Sequence, residues 1–346
     1  MIVNPWSVSA LTIDLLSAGL SAATAVQTGR LLLLSGGTLT NQEGQALTSR
    51  EDRMYLTFWM GTVLLGIRFV AWPLFYLVLH SFIPEIEGAM CIFGTRNMLP
   101  VLTRFLELLK PTLFFVGLVW LALFRLERFS TQSGRGMVAG RMIGFFLLAC
   151  SLLALVDSIG TAVLWIRSSA ELSVSCCTTV TDIPSRFTVW MPVSLFGPAY
   201  EQPLWYLFFL LNLCTVGLLV YAWMRVRGAR KPVFLLLPAA LASLINCILT
   251  VIAYIEVIAP RLMRLPFHHC LYCMVQKIMD APVFVALFIV GTCAAVAAAF
   301  VWIFGRTWAL KPPLLATVRG LLMIGFVCLS GSVFMISIHL LVPLIE

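Results

Sequence analysis

Long apolar runs recur from one end of the chain to the other, and none of them alternates apolar with polar positions. A run of about 20 residues crosses the hydrocarbon of a bilayer as a helix, whereas a barrel strand needs only about 10 and would alternate. The pattern predicts eight spans, over residues 6–34, 54–83, 99–124, 141–166, 204–224, 232–259, 282–304 and 314–342. The breaks between spans carry turn formers and helix breakers: Ser35-Gly36-Gly37, Ser133-Gly134, Gly228, Pro260, Pro282 and Pro312-Pro313. The N-terminal segment lacks a basic leader and a small-residue cleavage site, and Asp14 interrupts its apolar run, so it reads as a retained helix. The expected fold class is all-α: a polytopic integral membrane protein of about eight transmembrane helices, forming a single helical domain over residues 1–346.

Composition strengthens this reading. Of the 346 residues, 61% are hydrophobic and 11% charged, against roughly a quarter charged in soluble domains. The net charge of +8 is accounted for by topology. Loops one, three, five and seven, with the span ends beside them, hold thirteen basic residues: Arg30, Arg50, Arg53, Arg125, Arg128, Arg135, Arg141, Arg225, Arg227, Arg230, Lys231, Arg306 and Lys311. The alternate loops hold six: Arg96, Arg167, Arg186, Arg261, Arg264 and Lys277. Positively charged loops stay cytoplasmic, so an even number of spans places both termini outside, in what is expected to be a bacterial inner membrane. The longest connection, at about 168–203, is then an extracytoplasmic loop. Its threonines mixed with Phe187, Trp190 and Tyr200 suit a cap at the membrane surface. Basic residues spread over four loops make no nucleic-acid patch, and the expected surroundings are a lipid bilayer.

Ionisable residues inside the spans each cost a few kcal/mol to insert, so they mark a cavity or a pairing requirement. The chain has Asp14, Arg68, Arg104, Glu107, Lys110, Asp157, Glu256 and Arg319 at such positions. Arg104, Glu107 and Lys110 are three apart on one helix, which lets Glu107 pair with either neighbour. Asp14 and Asp157 are too short and too deep to reach the headgroups; they suit an ion or proton pathway, or a buried pair with Arg68. Together with Glu107 and Glu256, which also fall in the outer half of their spans, they are expected to line a polar chamber opening outward.

The reactive side chains gather on that same side. Phe267-His268-His269-Cys270-Leu271-Tyr272-Cys273 brings two of four histidines together with a C-x-x-C pair. Cys91, Cys176 and Cys177 fall in outward loops, and His80 and His339 end two spans at their outer ends. Imidazole beside thiolate suits copper(I) or zinc, and a histidine pair such as His80 and His339 suits haem; either would serve metal handling or electron transfer. The remaining cysteines, Cys150, Cys214, Cys247, Cys293 and Cys328, sit singly in spans as small hydrophobes. Two other readings use the same loop cysteines. Cys270 and Cys273 are the catalytic pair in a thiol-disulfide oxidoreductase reading, trading electrons with a loop cysteine and a membrane quinone. Alternatively, the loop cysteines are structural disulfides, around a transporter coupled through Asp14, Glu107 and Asp157. A C-x-x-C at the outer start of a span resembles the quinone-linked disulfide-forming enzymes of the vitamin K epoxide reductase type. The resemblance covers those four residues and one topological feature, and it implies a quinone as partner. A metal site would instead imply an extracytoplasmic metal-carrying or redox protein.

Overall fold

The computed structural model describes residues 2–34, 43–128, 136–169, 174 and 177–341. No strand occurs among the described residues, and eight helices are long and apolar enough to cross a membrane: 5–33, 52–85, 100–127, 139–167, 201–225, 233–263, 281–305 and 311–341. Each coincides with one of the predicted spans to within a few residues. The helices are α1 (Pro5–Leu34), α2 (Glu43–Ser81), α3 (Ile92–Arg96), α4 (Pro100–Arg128), α5 (Gly136–Arg167), α6 (Thr178–Thr181), α7 (Phe187–Phe196), α8 (Glu201–Arg225), α9 (Val233–Ala253), α10 (Ala259–Met263), α11 (Leu271–Lys277), α12 (Ala281–Gly305) and α13 (Lys311–Leu341). A π-helical turn, Tyr254–Ile258, joins α9 to α10. The chain forms two compact units, one of residues 1–86, 98–172 and 304–314, the other of 87–97, 173–303 and 315–346.

In the first unit α5 packs against both α1 and α4, and α1 against α2. Its core carries fully buried Trp120, Trp165, Phe75 and Leu106. At its centre lies a charge quartet. Arg68 on α2 donates to Asp14 on α1 at 2.6 Å and also to Asp157 on α5, which takes a second bond from Lys110 on α4 at 2.8 Å. Trp165 Nε1 donates to the other Asp14 oxygen at 3.0 Å, and Lys110 Nζ stands 4.3 Å from the centre of the Phe75 ring. All four charged residues are at most 4% exposed. Two acids and two bases cancel, which is the arrangement that makes buried charge tolerable.

Asp14 and Asp157 form the buried pairing with Arg68 that was one of the two expectations for them, and Lys110 joins it through Asp157, while Arg104 is exposed and Glu107 half-buried. The other expectation for the aspartates was an outward chamber. The space beside Asp14, Arg68 and Lys110 is only about 10 Å³, room for at most one water.

The second unit is organised by α8 and α9, antiparallel neighbours tied by a buried amide ladder. Asn246 donates to the Asn212 carbonyl oxygen at 2.9 Å, and Asn212 donates to Thr250 at 3.3 Å. Ser332 of α13 donates to the Phe284 carbonyl of α12 at 2.8 Å and stands 3.2 Å from the Tyr254 hydroxyl, fixing those helices to the π-helical turn. The short helices α3, α6, α7, α10 and α11 all belong to this unit and carry the site described next.

Candidate metal centre

Three loops of the second unit bring the reactive residues together. The first is the 87–97 loop. Gly88 adopts φ +84°, and a Cβ there would collide with the Val174 carbonyl, so only glycine lets the two backbones approach this closely. The Val174 amide then donates to the Glu87 carbonyl at 3.1 Å, drawing the long loop alongside and placing Cys177 next to Cys91. The third loop follows α10. That helix ends on Arg264 in the left-handed conformation, with Leu265 N donating to Pro260 O at 3.0 Å, and the chain turns back to deliver Phe267–Cys273. Gln276 of α11 accepts from the Ile92 amide at 3.4 Å, and Lys277 Nζ donates to Met263 O at 2.9 Å, holding α11 to its neighbours.

The four thiols of Cys91, Cys177, Cys270 and Cys273 converge so that their sulfurs all lie within 4.8 Å of one another. Cys177 Sγ is 3.6 Å from both Cys91 Sγ and Cys273 Sγ. A tetrahedral ion bonded to four sulfurs at about 2.3 Å sets them about 3.8 Å apart, whereas a disulfide needs about 2.05 Å. The spacing matches the first geometry. No disulfide joins the nine described cysteines, so the staple expected as one alternative does not form among them. Cys91, Cys177 and Cys270 are buried and Cys273 half-buried, with Phe93 and Tyr272 packed around them.

Cys91, Cys177 and Cys270 are the N-cap residues of the short helices α3, α6 and α11, and their carbonyls accept from the first-turn amides. Hydrogen bonds from Cys177, then Cys270 and Cys273, hold the Cys91 thiol far below its ordinary value. The Cys177 thiol is pushed up, first by its bond with Cys270, and the Cys273 thiol first by its bond with Cys177. Four thiols this close cannot all ionise without a cation among them.

Of the four histidines, His268 alone approaches the sulfurs: Nε2 is 3.8 Å from Cys177 Sγ, while Nδ1 meets Asp182 at 2.9 Å. Burial works against the Asp182 carboxylate, but hydrogen bonds from His268 and Thr181 hold it below the usual carboxylate value. His269 turns the other way, with Nδ1 3.3 Å from Arg186 and 3.2 Å from the Ile255 carbonyl. Burial first, and then the Arg186 guanidinium, lower its pKa and keep it neutral. His339 pairs with Asp280 at 2.7 Å, and His80 lies in the first unit, exposed at the end of α2. Cys176 lies outside the described residues.

Glu256 belongs to a different construction. Its carboxylate, on the π-helical turn, accepts from Arg186 Nε at 3.0 Å, from Tyr200 at 2.8 Å and from Thr188, and so clamps the long loop onto the span. Asp182, Arg186, Thr188, Tyr200 and Asp280 carry no motif, and sequence reasoning passed over them. The one available signal was a buried glutamate that needed a cationic partner from the 168–203 loop. No protein-family model, no curated protein and no solved structure matches this chain.

Proposed function

We propose that this integral membrane protein holds one soft metal ion, zinc foremost, in a closed site formed by Cys91, Cys177, Cys270 and Cys273 on its extracytoplasmic side. The observation that carries this reading is the sulfur spacing, four thiols within 4.8 Å of one another, which suits a tetrahedral ion and is too long for a disulfide. An all-sulfur tetrahedron is the preference of zinc and of iron, and it leaves no open position for a substrate. The ion therefore acts as a lock on three loops rather than as a Lewis acid. Its removal would leave the 87–97 loop tied to the long loop only through Val174 and Glu87, and to α11 only through Ile92 and Gln276, among the contacts described above.

A second reading is supported by the half-buried Cys273 edge. Iron in the same cage would take up and release one electron at a time through that edge, to an extracytoplasmic redox protein. An exchange of disulfides at Cys270 and Cys273 has less support, because both sulfurs are shared with Cys91 and Cys177.

Metal analysis with an absorption spectrum of protein purified under reducing, chelator-free conditions separates these readings. About one zinc per chain and a featureless visible spectrum is the expected result, and visible charge-transfer bands would assign iron. Cys91→Ser and Cys270→Ser should each lose most of the bound metal. Protein that is folded, fully reduced and free of metal in stoichiometric zinc would sink the proposal.

A further inference from the structure

A cavity of about 870 Å³ opens in the second unit between α7, the π-helical turn, α10 and the turn leading to His269. Val189, Val193 and Val257 make one side apolar, and Tyr200, Glu256 and His269 make the other polar. Tyr200 immediately precedes the span 201–225, and Arg261 lies near the end of the span 233–263, so the cavity lies at the ends of two spans. A space of this size takes a small molecule, and an apolar wall with a few fixed polar groups is the usual make-up of such a site.

The buried polar groups of the lining are committed to one another, with one exception. Arg186 Nη2 gives its two hydrogens to Glu256 and, at 3.0 Å, to the Tyr200 hydroxyl, and Tyr200 gives its own to Glu256 at 2.8 Å. The exception is His269. It is 6% exposed, and its Nδ1 stands 3.2 Å from the Ile255 carbonyl. A π-helical turn pairs each carbonyl with the amide five residues on, as the Tyr254 carbonyl takes the Ala259 amide. Five residues on from Ile255 is Pro260, which has no N–H. A carbonyl can only accept, so His269 Nδ1–H takes the place of the missing donor. That bond spends the one N–H of a neutral imidazole and leaves Nε2 as an acceptor. Nε2 is neither sealed in the packing nor bonded to any described residue, which leaves it to the cavity.

We propose that this cavity binds a lipophilic phenol, its hydroxyl donating to His269 Nε2 and its apolar body lying against Val189, Val193 and Val257. A buried acceptor without a donor calls for a ligand that brings one. The buried carboxylate, Glu256, is already paired with Arg186, so the donor it calls for is a neutral hydroxyl rather than a cation. A phenol is a stronger donor than an aliphatic alcohol, and its ring suits the aromatic face of Phe267 in the lining. The place of the cavity at the span ends selects a molecule that enters from the bilayer. The inference goes beyond the metal reading and does not depend on it, since none of the four sulfur residues lines the cavity.

The test is equilibrium dialysis of the full-length protein in micelles, with protein-free micelles as the blank, against 4-pentylphenol and its methyl ether, 4-pentylanisole. One saturable phenol per chain should bind about tenfold more tightly than the anisole, the scale of one buried hydrogen bond. His269→Phe keeps a ring and removes the acceptor; it should bring the phenol down to the affinity of the anisole and leave the anisole unmoved. Val193→Trp fills the cavity without touching the histidine and should weaken both probes at unchanged helix content. Equal affinity for the two probes in the parent chain, a phenol preference that survives His269→Phe, or binding unmoved by Val193→Trp would each overturn the proposal. 1-Octanol bound as tightly as the phenol would also overturn it, in favour of a site for hydroxyl-bearing lipids at large.

Discussion

Among single residues, the cysteines separate into two populations by what surrounds them. Cys150 is buried among apolar side chains within α5, whereas Cys91, Cys177 and Cys270 each open a short helix. Crowding of the sulfurs in the second setting opposes having more than one thiolate there. Cys177 and Cys273, both with raised pKa, hold their protons near neutral pH and must release them to an incoming ion. Zinc binding should therefore liberate at least two protons per ion, and apparent affinity should fall as pH falls. Isothermal titration in buffers of different ionisation enthalpy measures this number; fewer than one proton per ion would contradict the sulfur assignment. Residue types alone pointed to Cys91, Cys177, Cys270 and Cys273, but not to their separation from most of the histidines. His269 and His339 are claimed by Arg186 and Asp280, whose places beside them are set by tertiary contacts.

Taken by element, the spans were legible because length and apolar composition are local properties, and the eight helices follow them closely. Pairings between helices were less so. The buried pairing of Asp14 and Asp157 with Arg68 was one of two expectations for these residues, but the entry of Lys110 from a fourth helix was not foreseen. The quartet gives a stability prediction. Asp157→Asn leaves Arg68 and Lys110 with one carboxylate between them, and unpairing a buried charge costs about 3–5 kcal/mol. Unfolding in mixed micelles should show a loss of that order, while Arg104→Gln, at an exposed position of α4, should be near neutral. If Asp157→Asn unfolds like the parent chain, the quartet is not holding these four helices together.

At the level of the whole molecule, the bias of basic residues between alternate loops predicts an extracytoplasmic C-terminus. A reporter that is active only outside the cytoplasm, fused after Glu346, should be active; the reverse would move the cysteine cluster to the cytoplasmic side. The convergence of the 87–97, 168–203 and 264–273 segments was beyond sequence reasoning, since it depends on backbone meetings such as Gly88 against Val174. One such segment has a further consequence. Residues 177–186 carry one of the four clustered thiols at one end and, at the other, the arginine that grips Glu256. An ion held by the proposed site would restrain both ends of this segment, and by linkage whatever loosens the Arg186–Glu256 clamp should weaken metal binding. Metal affinity of Arg186→Gln reads that coupling, and an unchanged value would mean that the two ends of the segment move independently.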